Sequence, residues 1–313
     1  MEAHYFAHRL TRYYRCNQCC DFCWGSTAKN NAVLSIGNLT LKAPWRSTIS
    51  TRTQADPSHW SVVPGFAKNR RLFDLLHLVH LGTLRDIIPS CLIDALDDGT
   101  LAAFYGMQGC SDDTILYRMS SHAHAWAREQ NLDLYVGTLT MHRLGRKPSQ
   151  SRTWPYPELD SRIKAARCRT LFAFVTWLMC RLASYPLSPE QKLNARVRAV
   201  CCWALDVSLS VFNQNQRVKM QQHVVKETTW LCRLHSACYQ WLGARCLSQR
   251  RLLFKVRPKT HYFSHMVDHH EATQLCLLHL STFGDEDFMG KIARLRLLAM
   301  ERHTCIHGQS DMP

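Results

Sequence analysis

The ionisable chemistry of this chain is concentrated between Arg257 and Ile292, where five histidines, four of them within residues 261–270, are followed by three consecutive acids. His261, His265 and His269 fall four residues apart, a spacing that sets them along one face of a helix, and His270 stands beside them. Asp285, Glu286 and Asp287 open a second helical pattern whose apolar positions are Phe283, Phe288, Ile292 and Leu295. Acids in a first turn suit the helix dipole, and a carboxylate held at a helix start can also bind a divalent metal. A second group lies near the N-terminus. Cys16, Cys19, Cys20 and Cys23 contain two C-x-x-C pairs, with His4 and His8 upstream. C-x-x-C brings two thiolates from one tight turn to a single zinc ion, so Cys16 and Cys19 with His4 and His8 form a candidate structural zinc site, against the alternative of free thiols. A third pair is Asp74-x-x-His77, one helical turn apart, in which the carboxylate can fix the imidazole tautomer or merely hold the helix together.

Composition narrows the setting of these groups. The 313 residues carry 39 Lys and Arg against 24 Asp and Glu, a formal charge of +15, which points to a polyanionic partner, nucleic acid before membrane. Arg9, Arg12 and Arg15 interleave with Tyr5, Tyr13, Tyr14 and Trp24 as in strand-binding surfaces, and Arg143, Arg146 and Lys147 sit on a loop that could touch phosphate. The 15 cysteines are scattered, odd in number and mostly inside apolar helical patterns, and the start of the chain has no apolar signal core, so reduced thiols in the nucleus or cytoplasm are expected. The longest apolar run, Leu171 to Met179, is too short to span a bilayer. There is no phosphate-binding glycine loop, dinucleotide fingerprint or nucleophile elbow.

The elements that must position these residues read as mainly α: a multi-helix bundle with an irregular N-terminal segment. Residues 1–31 form a Cys/His-rich unit and 32–66 a connector interrupted by Pro44, Pro57 and Pro64. Residues 67–156 are a helix-and-loop region whose first helix begins near Asn69, and 157–313 a helical domain. Ser188, Pro189 and Gln191 spell a capping box for one long helix, and another runs from Arg217 to about Leu242, where Gly243 should stop it. Short connections imply antiparallel packing, with the bundle faces available to protein partners.

Taken in order, the cysteine pair of RYYRCNQCC, then FDLLHLVHLGTLRD, then RPKTHYFSHM and LSTFGDEDFMGKI resemble the C-terminal part of transposases of the CACTA (En/Spm-like) class. The resemblance implies that Asp74 and His77 match an Asp-x-x-His element, His261 and His265 a histidine pair, and Glu286 the final glutamate of a metal-binding triad. It further implies a ribonuclease-H-like core, of which this chain would hold a remnant, interrupted by a helical insertion. Mg or Mn would be the catalytic ions only if that core were complete. The family's two aspartates should precede the cysteine pair, where the only acid is Glu2. The expectation is therefore a truncated, transposase-derived DNA-binding protein that does not itself cut DNA. Two alternatives are a zinc-dependent adaptor without enzymatic activity, and a metal-dependent hydrolase using His261, His265 and Asp268 or Glu286. On the family reading the histidines become a structural helix face, with Glu286 alone keeping a catalytic ancestry.

Overall fold

The computed structural model describes residues 20, 22–28, 31–49, 74–146, 156–215 and 217–281. Among them, seven α-helices carry the fold: α1 (Leu84–Asp97), α2 (Thr100–Tyr105), α3 (Asp112–Glu129), α4 (Ala165–Ala183), α5 (Pro189–Gln214), α6 (Gln222–Ser248) and α7 (Pro258–Thr273). Among the described residues there is no strand, only single bridges pairing Ser26 with Ser35 and Lys219 with Leu275. The mainly α expectation holds in this coarse form, and strands of a ribonuclease-H-like core are not among the described residues. No described helix is long and apolar enough to cross a membrane.

The helix starts follow from local chemistry. The Ser188 side chain accepts the Gln191 amide at 3.4 Å while Gln191 Oε1 accepts the Ser188 amide at 3.2 Å, closing the expected capping box with Pro189 at the first helical position. Ser111 caps α3 by accepting the Thr114 amide. Arg162 and Asp160 form a tight turn that delays α4 until Ala165. The helix expected from Asn69 is described from its continuation: Asp74 accepts the Leu76 amide at 2.9 Å, and a π-helical segment, Leu76–Thr83, leads without interruption into α1.

One expectation is corrected. Gly243 does not end a helix; α6 continues through it to Ser248. A Cβ at this position would lie 3.1 Å from the Phe254 carbonyl oxygen, so the glycine serves the close return of the following chain against α6. That return places Phe254 in the core, with its amide on Ser90 Oγ at 3.1 Å.

α5 packs between α4 and α6, α6 against α7, and α7 in turn against the π segment, which also touches α1 and α4. The main core extends from Leu75 to Leu277, with Phe172, Phe174, Leu178, Leu205, Phe212, Leu242 and Phe263 at its centre. Ion pairs cross it. Arg198 and Asp94, both fully buried, meet at 2.7 Å; Arg245 and Arg251 also reach Asp94, and Arg198 also reaches Asp98. A second, smaller core holds Cys20, Cys23, Ala43 and Trp45. It joins the N-terminal segment to α7.

Candidate metal centre

α7 starts at Pro258, and the four-residue spacing of His261 and His265 puts both imidazoles on the side that the segment 20–49 covers. Each meets a cysteine from the start of that segment. Cys23 Sγ lies 3.2 Å from His261 Nε2 and Cys20 Sγ 3.4 Å from His265 Nε2, while the two Nε2 atoms are 3.1 Å apart. All four donor atoms lie within 4.8 Å of one another, and all four residues are buried. A tetrahedral zinc with ordinary bond lengths has S···N edges of about 3.5 Å and an N···N edge of about 3.4 Å. The donor set therefore fits a zinc-sized ion, with small outward adjustments.

The surroundings match a charged centre. The amides of Phe22 and Gly25 point at the sulfurs of Cys20 and Cys23, at 3.4 and 3.2 Å, and such hydrogen bonds favour thiolates over thiols. Burial pushes the Cys20 thiol well up, and burial also drives the His261 imidazole well down, aided by His265 and Arg46. Two thiols and two imidazoles facing each other in an apolar pocket gain little by themselves, whereas a divalent cation would turn the thiols into thiolates and give every donor a partner. Gly25 leaves the room: a Cβ there would stand 3.0 Å from His261 Nε2 and 3.1 Å from Cys23 Sγ. Trp45 covers the cluster edge-on, with ring centroids 4.4 Å from His261 and 4.9 Å from His265, its indole nitrogen donating to the Asn38 carbonyl at 2.7 Å. Phe22 packs on His265, with ring centroids 5.6 Å apart.

Four protein ligands leave no open coordination position, so such an ion would hold structure rather than perform chemistry. What it holds is the segment 20–49. Arg46 reinforces the attachment by pairing with Asp268 on α7 while lying 4.5 Å from the Trp45 ring, and Gln240 on α6 accepts the Leu39 amide at 3.1 Å.

This arrangement joins some of the expected site residues, leaves others apart, and leaves others outside the described residues. The histidine pair is not a merely structural helix face, because it faces cysteines. The cysteines are Cys20 and Cys23, the second C-x-x-C pair; His4, His8, Cys16 and Cys19 lie outside the described residues. Asp268 does not join the histidines, since Arg46 and Arg233 take its carboxylate, so the hydrolase ligand set is not assembled through Asp268. Glu286 lies outside the described residues, as do Arg9, Arg12, Arg15 and Lys147. Asp74 and His77 hydrogen-bond to each other as expected, at the head of the π segment and apart from the cysteine–histidine cluster. Arg143 and Arg146, on the loop that could touch phosphate, pair with neighbouring groups: Arg143 with Asp160 at 3.6 Å and the Thr138 carbonyl at 3.0 Å, Arg146 with Asp97 at 2.7 Å. The signal for this donor set is present in the sequence as two separate spacings, C-x-x-C and H-x-x-x-H; nothing local joins them.

Compared with known proteins, the chain matches no family model, and neither a curated protein nor a solved structure matches it.

Proposed function

We propose that this chain is a zinc-stabilised nucleic-acid-binding protein of transposase descent, one that binds DNA without cutting it. The observation that carries the reading is the closing of one site by a C-x-x-C and an H-x-x-x-H separated by 238 and 245 residues, with a bundle of helices between them. The CACTA class carries a cysteine pair, a helical insertion and a histidine pair in that order, and a shared metal explains why the ends of the insertion must stay together. The register of the cysteines is four residues later than the resemblance suggests, at Cys20 and Cys23. The formal charge of +15 supports a polyanionic partner, with DNA in the nucleus as its setting. On this reading Glu286 corresponds to the final glutamate of a ribonuclease-H-like metal site, which also requires two aspartates.

The test is a binding titration of the full chain carrying its metal, on duplex and single-stranded DNA at several salt concentrations. Affinity should fall linearly in log–log form, as expected for phosphate contacts that release counterions. A flat salt dependence sinks the reading, and strand transfer above background with Mn sinks the claim that the chain does not cut. A second reading, a zinc-dependent adaptor, is favoured by Trp203 on α5 and Trp241 on α6, which remain 41% and 40% exposed. It predicts the same metal content with no DNA affinity.

A further inference from the structure

The segment that carries Leu39–Lys42 forms one wall of a groove whose other wall is α6. Its volume is about 620 Å³, and its lining is mostly apolar. Leu39, Leu41 and Lys42 come from the segment; Lys226, Thr229 and Trp230 come from α6. Trp230 is 57% exposed although it is the largest side chain in the groove. Thr229 is 1% exposed, and its hydroxyl has no hydrogen-bond partner among the described residues. Lys42 and Lys226 are exposed and form no ion pair among the described residues, so the two walls each present an uncompensated cation. The third cation, Arg233, is neutralised by Glu271 and Asp268.

We propose that this groove takes a single strand of nucleic acid, with an unpaired base stacked on Trp230 and flanking phosphates on Lys42 and Lys226. The inference rests on the nucleic-acid reading above and assigns it a place. Charge decides the occupant: two such lysines on opposite walls, in a chain of net charge +15, fit a polyanion better than a second copy of this chain. Base geometry decides its form. An exposed indole in a groove offers a stacking face, and only an unpaired base has a face to give it; in a duplex the faces are already stacked. The arrangement also ties binding to the metal, because the wall bearing Lys42 stays in place only while Trp45 and Arg46 remain docked on α7.

The experiment uses the full chain with its metal and a fluorescein-labelled oligothymidine of about 15 nucleotides, long enough to span such a site. Anisotropy is read between about 50 and 200 mM salt, with matched duplex as the second probe. Trp230→Ala should weaken the oligothymidine about 5- to 160-fold, the range expected for unstacking one base, while Trp230→Phe retains most of the affinity. The double variant Lys42→Ala with Lys226→Ala should lower the salt slope by about 1.4, near 0.7 for each single-strand phosphate that is no longer neutralised. Duplex affinity should change little in any of them. Metal content and helical circular dichroism of each variant verify that it is folded. If the wild type binds oligothymidine with steep salt dependence and these variants bind equally well, the groove is not the site, although the nucleic-acid reading stands. If the wild type binds no nucleic acid, both fall. Should an acidic amphipathic peptide bind in a Trp230-dependent way while oligothymidine does not, the groove belongs to a protein partner and the proposal is overturned.

Discussion

Among the described residues there are two cores, and they are built by opposite means. In the large one, long helices bury wide apolar stripes, so order is spread over dozens of side chains from Leu75 to Leu277. In the small one, Cys20, Cys23, Ala43 and Trp45 form the buried cluster, and the described residues of the segment they anchor are irregular apart from a 3-10 turn, Pro44–Thr48, and the single bridge of Ser26 with Ser35. Burial on that scale does not offset the conformational entropy of ordering a stretch of about 30 residues, at roughly 1–2 kcal/mol each. The small core must be ordered by few, strong, directional bonds. Apolar area can make a fold without a metal, whereas an irregular cover over that fold needs a cross-link.

The largest expected effect tests this contrast directly. Removing the metal by chelation, or replacing Cys23 by Ser or His261 by Ala, should release the segment 20–49 and leave α1–α7 folded. Structural zinc sites contribute on the order of 10 kcal/mol of apparent binding free energy, most of it folding free energy. Mass spectrometry should find one zinc per chain in the wild type and none in either variant; limited proteolysis should then cut between residues 22 and 49 while the helical circular dichroism is kept. Collapse of the helical signal on chelation would show that the two cores are one cooperative unit, and the contrast would break.

The large core should instead fail at its buried charges. Asp94→Ala takes from the fully buried Arg198 a carboxylate held at 2.7 Å, and breaking a buried pair costs about 3–5 kcal/mol. Denaturant midpoints should fall accordingly with zinc content unchanged. The same group gives a pH dependence. Burial by itself would raise the Asp94 carboxyl, but the guanidiniums of Arg198, Arg245 and Arg251 outweigh it and hold the group below the ordinary carboxylate value. A depressed folded pKa means that the contribution is fully present above the unfolded value, near about 3.9, and is lost as pH falls through the lower folded value. Asp94→Asn should remove that component of acid unfolding; an unchanged acid profile would show that the network does not couple to folding.

How much of this was legible in the sequence differs between the two cores for the same reason. Helix periodicity is a local signal, so the mainly α class, the capping box at Ser188 and the helical spacing of His261 and His265 could all be read directly. The metal centre is a non-local signal. A C-x-x-C says that two donors share a turn but not which donors complete the tetrahedron, and with two such pairs side by side the sequence offers both the nearby histidines, His4 and His8, and distant ones. Gly243 shows a related ambiguity: a glycine that ends a helix and one that admits a neighbouring backbone look alike until the neighbour is known. Arg143 and Arg146 show it for charge, because a loop arginine does not reveal that Asp160 and Asp97 will fold against it.

Gly25 and Gly243 give a finer comparison. Gly25→Ala pushes a methyl against His261 and Cys23, so its cost should appear as weaker zinc retention, with the stability of the helices unchanged. Gly243→Ala presses on the Phe254 backbone inside the large core and should lower stability to denaturant by about 1–3 kcal/mol, the usual cost of overpacking, without loss of zinc. Reading both variants by both measurements yields a crossed pattern if the cores are separate. Parallel losses in both assays would mean that strain passes from one to the other.

The smallest effect lies at the seam. Arg46 and Asp268 join the segment 20–49 to α7, and their side chains are 16% and 25% exposed, so solvent screens them in part. Arg46 also donates to the Thr40 carbonyl at 3.0 Å and packs on Trp45, while Asp268 has Arg233 as a second cation at 3.3 Å. Each residue therefore keeps a partner when the other is removed, which limits the penalty of a single substitution. A double-mutant cycle of Arg46→Ala and Asp268→Asn should give a coupling of about 1 kcal/mol, at the upper end for an exposed pair. If a metal provides the main attachment, neither variant should lose zinc, but both should speed proteolysis of the segment in the presence of a weak chelator. Zinc loss from Arg46→Ala as complete as that from Cys23→Ser would reverse the assignment: the ion pair and the indole would then be ordering the segment, and the metal would be filling a site already made.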